Sequence, residues 1–402
     1  MTSPRVSDRS RSYRQVLGDR QFAFLAFAHT VSLLGTTVAT VALAVLVFQR
    51  TSSPLLSSLT FTVSFTPYLL GGLVASRLEH VPPRRLMILC DLIQGLTYVI
   101  MAVPGLPVAG LLGLLVLGAI PAPIFSGTRA GLLPTLLGDG EGFVLGRSVL
   151  RLISQTSQIL GLAVGGGLLL LITPRAALLV VAATCAGSAV LIRTGLSSQA
   201  AVAQVSDASP QSGLRPVFAD PRRRGLLVLG WVIPAAAVAT EALAVPYVVS
   251  LGLPAGSAGL LLWAAPAGAV AGELLTVRLV PTGRRIASVV PLSALVLAVP
   301  LGFALQPPLP VAALLLLLSS AGFGYTLGLD QQLLDATPAA LHRRTLTVST
   351  SGLMFWQGTG FGIAGAAAEI VPPRAVIPII SLVGLVATAL LVLRLQVREQ
   401  SR

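Results

Sequence analysis

Five side chains in this 402-residue sequence stand where polar chemistry is costly, inside long apolar runs. Glu241 lies in the run 225–250, His29 in 22–48, Gln155 and Gln158 in 144–173, and Gln357 in 345–371. If such runs cross a bilayer, a charged group in them costs at least ~2.5 kcal/mol and needs a partner, water or a purpose. A carboxylate at Glu241 can bind a cation or carry a proton; the alternative is an ordinary acid facing a water-filled vestibule. Imidazole at His29 suits a proton relay, although a hydrogen bond to a neighbouring helix is the commoner use. The three glutamines can face a cavity or bond between helices. Pro234 and Pro246 flank Glu241, and the bend they predict fits a mobile gate and a static kink alike.

A second set of ionisable residues gathers at the ends of the runs. Asp91 is near Arg77, Arg84 and Arg85; Asp330 and Asp335 are near Arg284, Arg285, Arg343 and Arg344. Such groups are expected to pair and lock helix ends together in one state, or to be solvated surface charge. Bond-making chemistry has no signature. The chain has no lysine, so a Lys-containing phosphate loop is excluded, and no His/Cys/acid cluster has metal-ligand spacing. No enzyme activity, cofactor or metal is expected. Cys90 and Cys185 fall in apolar runs and read as small buried hydrophobes.

The elements that must position these residues follow from composition. Charged residues make up 10% and hydrophobic ones 54%, against roughly 25% charged in a soluble domain. A helix needs about 20 apolar residues to cross the hydrocarbon, and only helices or closed barrels satisfy their backbones there. Stretches such as 111–117 and 311–318 are apolar on every face, which excludes the alternation of a barrel. An all-α integral membrane protein of twelve transmembrane helices is expected, over 22–48, 54–76, 85–104, 107–127, 144–173, 175–193, 225–250, 256–277, 285–305, 309–332, 345–371 and 374–394. Turn-forming clusters such as Gln306-Pro-Pro308 and Pro372-Pro373 separate them.

All 27 basic residues are arginine, and the formal charge is +13. They sit in the connections, so the excess reflects membrane topology and the partner is the lipid bilayer, not nucleic acid. With the N-terminus inside, only Arg50, Arg175 and Arg374 lie outside and the other 24 lie inside. Both termini are therefore expected in the cytoplasm of a multi-pass cell-membrane protein. The arginine-rich first twenty residues do not resemble a cleavable signal.

The polar stretch 194–224 divides the chain into halves 1–193 and 225–402, and is expected to be a cytoplasmic linker. The halves repeat at a fixed offset of 199: Gln158 returns as Gln357, Gly166 as Gly365, and Pro174-Arg-Ala176 as Pro373-Arg-Ala375. Six helices per repeat insert both halves the same way up, a parallel repeat about an axis along the membrane normal.

Twelve helices, a central linker and the motif Gly71-Gly-Leu-Val-Ala-Ser-Arg77 with Arg84-Arg85 make the chain similar to the major facilitator superfamily. Ser76 stands where that motif usually has Asp. Arg129-Ala-Gly-Leu-Leu-Pro134 and Gln158-Ile-Leu-Gly161 resemble the macrolide-efflux and enterobactin-exporter branch. Leu162 replaces a proline common in antiporters of the superfamily. The resemblance implies a monomeric transporter with a small-molecule substrate and H+ as partners, a site between two rocking bundles, and Glu241 on a cavity-lining helix. Proton-coupled efflux of a hydrophobic or amphipathic compound is the expected activity. Metabolite uptake and a non-transporting sensor with the same fold are the alternatives.

Overall fold

The computed structural model describes residues 13–77, 81–137, 141–197, 215–338 and 341–400; side chains at 13–14, 16, 66–77, 130–131, 134, 141–144, 282, 343 and 397–400 are outside the description. The signature 71–77 is thus seen as backbone only, and most of the 194–224 linker lies outside the described residues.

The expected spans appear as helices. We number them α1 (Arg20–Thr51), α2 (Pro54–Arg77), α3 (Pro83–Ala102), α4 (Val108–Ala119 with Pro121–Leu137), α5 (Glu141–Leu168) and α6 (Pro174–Gly195). The second half has α7 (Pro221–Ala237, Ala239–Ala242 and Ala244–Ser250), α8 (Ala255–Ser257, Ala258–Leu262 and Ala264–Leu279) and α9 (Val289–Ala298 with Val299–Leu305). It continues with α10 (Leu309–Ala321, Gly322–Gly324 and Tyr325–Asp335), α11 (His342–Ala367) and α12 (Pro373–Gln400). The fold is two six-helix bundles.

Local chemistry fixes several ends. Asp19 accepts from the Phe22 N–H at 2.8 Å and starts α1, and Asp220 does the same with Arg223 N–H to start α7, each satisfying a donor the first turn leaves open. Pro83, Pro174, Pro221 and Pro373 begin helices, where a missing N–H costs nothing. Left-handed Gly252 (φ 75°) turns the chain after α7.

The second half is more broken than the first. α7 is interrupted at Val238 and Leu243, the latter because Pro246 has no N–H for the Ala242 carbonyl and its ring crowds that group. The bend expected around Glu241 is thus a double interruption, and Glu241 lies on the four-residue piece between the breaks.

The bundles meet most closely at the end opposite the termini. A buried apolar cluster there mixes Val41, Val45, Phe61 and Leu162 of the first half with Leu243, Tyr247, Phe303 and Phe361 of the second. Phe61 and Phe361 stack 5.0 Å apart with 9° between their planes. Where α5 crosses α8, Gly166 and Gly259 touch backbone to backbone; a Cβ on Gly166 would stand 2.7 Å from the Gly259 Cα. Small residues let helices approach without a side chain between them. Gly166→Ala should therefore cost the closed arrangement about 1–3 kcal/mol through overpacking. Spin labels at the exposed Leu171 and Leu305 should report a longer distance, and Gly167→Ala, whose Cβ would meet open space, should not change it.

Candidate functional site

Glu241 is the only acid on α7 beyond its first turn, and it is partly buried. Its helical piece packs against α11, α2 and α12, and its neighbours Ala239, Ala242 and Leu243 belong to the apolar cluster shared by both halves. No hydrogen bond or ion pair joins its carboxylate to another described residue. An acid at the junction of the bundles, on a helix interrupted either side of it, is placed to respond when they move.

The other membrane-embedded candidates divide. His29 is buried and its Nε2 lies 3.1 Å from Ser154 Oγ on α5; Ser154 in turn donates to the Leu150 carbonyl. This is the bond between helices that the sequence favoured over a relay. Gln155 and Gln357 are partly buried and Gln158 is exposed. No hydrogen bond of their side chains to another described residue is seen, so the structure does not use them as ties between helices.

The expected inner-end pairs are largely not formed. Asp91 is 1% exposed and forms no ion pair with Arg84 or Arg85. Its Oδ2 accepts from Ser188 Oγ on α6 at 2.6 Å, and its Oδ1 from Ser32 Oγ on α1 at 3.4 Å. The reason is depth: eight residues past Pro83 place it about 12 Å into α3 at 1.5 Å per residue, where it pins three helices of one bundle. Arg84 donates to the Arg193 carbonyl, within the same half, and Arg85 is exposed. The Arg77 side chain lies outside the described residues, as does that of Arg343. Arg284 and Asp335 are exposed and Arg285 is partly buried, none in an ion pair with another described residue. Asp330 is exposed, and its charged neighbours are Arg151 and Glu273 instead of the arginines near it in sequence.

Two links between the halves were missed by sequence reasoning. Arg151 of α5 pairs with Glu273 of α8 at 3.4 Å, with 73% of the arginine side chain exposed; such a solvated pair contributes about 0–1 kcal/mol. At the opposite end, Glu369 Oε1 accepts from Ser53 Oγ at 2.5 Å and from Leu55 N–H at 3.0 Å. The carboxylate after α11 thereby satisfies an open donor at the start of α2, across the two halves. A signal for it existed: Glu369 is the one acidic residue in the connections 49–53, 104–107, 169–173, 251–254, 306–308 and 368–372. Nearby, Arg50 donates to the Leu106 carbonyl and Arg374 to Gln306 Oε1.

The site is thus an acid without a partner among the described residues, on an interrupted helix at the junction of two bundles, and the sequence family places this geometry. The profile described as Major Facilitator Superfamily matches residues 25–356. The chain belongs to the major facilitator superfamily. Its members are transporters of small molecules and not enzymes, and the chain is a multi-pass membrane protein. No curated protein matches the sequence. Among solved structures, a mutant form of the nucleoside transporter NupG superposes with a TM-score of 0.76 at 13% identity, over 92% of this chain and 99% of that one. A bacterial homologue of the iron transporter ferroportin, inward-facing, gives 0.67 at 16%, over 96% and 99%. A peptide transporter in complex with sulfate gives 0.68 at 11%, over 95% and 98%. At these identities the likeness is one of fold, and it does not discriminate the efflux branch suggested by local motifs from other members of the superfamily.

Two predictions follow from these contacts. The hydrogen bonds from Ser53 and Leu55 hold the Glu369 carboxyl below the usual carboxylate range. A depressed value means the tie is complete above the ordinary value of about 4.3 and is lost as pH falls through the lowered one. Acidifying that side should lengthen the Leu171–Leu305 label distance, and Glu369→Gln should lengthen it at neutral pH and abolish the pH response. Separately, Ser188→Ala should lower stability by about 1–3 kcal/mol, because it strips Asp91 of its shorter hydrogen bond. Thermal unfolding in detergent measures this, and Ser32→Ala, at the longer contact, should do less.

Proposed function

We propose that the protein is a secondary active transporter that exports a hydrophobic or amphipathic small molecule (a drug, a natural product or a siderophore) in exchange for protons, by alternating access. The observation that carries this reading is Glu241. An ionised carboxylate at membrane depth costs about 2.5 kcal/mol or more, and no basic side chain among the described residues pairs with it. A proton is the smallest group that neutralises it. The breaks at Val238 and Leu243 give α7 a hinge on either side of the acid.

Sidedness comes from the arginines. With 24 of 27 on the side of the termini, that side is the cytoplasm of a cell membrane. The Phe61–Phe361 stack, the Gly166–Gly259 crossing and the Glu369 tie then close the extracellular end, leaving this conformation to receive substrate from within. Charge favours an apolar cargo, since α7 carries no basic residue beyond its first turn to stand beside Glu241 and bind a sugar phosphate or dicarboxylate. Both halves contribute to the site, and one chain suffices to form it.

Reconstituted protein should move a fluorescent lipophilic dye against its gradient when a pH difference is imposed. Glu241→Gln should reduce that movement to the level of empty vesicles while leaving the elution profile of the folded protein intact. Dye movement indifferent to the pH gradient would overturn the coupling, and full activity in the variant would remove Glu241 from it.

A further inference from the structure

At the terminal end of the first bundle, a cavity opens between α3 and α6, lined by Pro82, Arg84, Arg85, Ile88 and Arg193. Three of its five lining residues are guanidinium groups. Arg84 reaches across to the Arg193 carbonyl, which joins the two helix ends and brings the three cations to one opening. No described carboxylate lies within ion-pairing distance of any of them. Two of the charges expected to hold the bundles together, Arg84 and Arg85, are thus gathered with Arg193 within one bundle, without a carboxylate partner among the described residues.

What stands above the arginines is as informative. On α3 the exposed positions above Arg85 include Leu89, Leu92 and Leu96; on α6 those above Arg193 include Val190, Ala186 and Ala183. Both spacings follow one face of a helix. Eleven residues from Arg85 to Leu96 rise about 16 Å, close to the half-thickness of a hydrocarbon core of about 30 Å. The groove therefore has a cationic foot at headgroup level and an apolar wall the height of one leaflet.

We infer that this groove between α3 and α6 binds an anionic phospholipid, its phosphate held by Arg84, Arg85 and Arg193 and its acyl chains laid along the two apolar stripes. Guanidinium is weakly hydrated and its planar fork matches phosphate oxygens in pairs. Each arginine of a basic segment near a membrane surface is drawn to anionic lipid, so three converging ones discriminate strongly between anionic and zwitterionic headgroups. A free phosphate would use the cationic foot and leave the apolar wall unused. The site is separate from Glu241 and stands whether or not that residue couples transport to protons.

Native mass spectrometry of the full-length protein, released from micelles holding phosphatidylglycerol and phosphatidylcholine in equal amounts, tests the inference. Wild-type protein should retain phosphatidylglycerol in preference by about tenfold or more. Arg84→Gln/Arg85→Gln/Arg193→Gln should lose that preference. Arg147→Gln/Arg278→Gln/Arg394→Gln, which removes equal charge at other exposed positions, should keep it. If the first triple variant does not fold, Arg85→Gln alone, an exposed side chain without a hydrogen bond to a described residue, should still weaken the preference several-fold. A preference unchanged in the groove variants, or lost equally in both triple variants, would overturn the site. Displacement of the lipid by millimolar inorganic phosphate would also overturn it, since the occupant would then be a free anion.

Discussion

Lipid offers no hydrogen bonds, and almost every feature of this protein answers to that fact. Backbone groups at membrane depth must be satisfied within the helix that carries them, so the chain crosses as a series of helices and turns only where water is near. The same constraint makes each interruption inside a span significant. Where Pro246 removes a donor from α7, the surrounding packing of α2, α11 and α12 shields the break. Lipid does not have to solvate it. Glu241 sits on the short piece that results, so an interruption of the backbone and an acid without a described partner coincide.

Side-chain polar groups at depth obey the rule in two ways. Asp91 and His29 are satisfied locally, by Ser188 and Ser32 and by Ser154, and act as rivets inside the first bundle. Glu241 is not satisfied by a described neighbour. Residue type does not draw this contrast, since Asp91 and Glu241 carry the same group; their neighbours do. Contacts across the bundles follow a matching division. Apolar stacking and glycine crossings provide area without directional bonds, and polar ties such as Glu369 to Ser53 and Leu55 sit at the rim, where water can replace them. An interface of that kind can open without leaving buried polar groups stranded.

Arginine distribution ties topology to the lipid surface. Excess cationic charge on one side orients the helices, but orientation needs only a count. The convergence of Arg84, Arg85 and Arg193 on one groove is a property of how α3 and α6 pack, which no count contains.

Sequence alone determined the twelve helices, their approximate ends and the membership in a two-bundle family, because hydropathy, proline placement and the 199-residue repeat are local or one-dimensional signals. It also singled out Glu241 and the kinked character of α7, since an acid between two prolines in an apolar run is visible without neighbours. Partners were decided by tertiary structure. Nearness in sequence suggested that Asp91 would meet Arg84 and Arg85, yet helix rotation turns it toward serines 59 and 97 positions away. Arg151 pairs with Glu273 over 122 residues and has Asp330 as a charged neighbour, and Glu369 finds Ser53 over a separation of 316 residues. A helix presents a different face every 100°, so which charge meets which depends on packing angles that no linear spacing encodes.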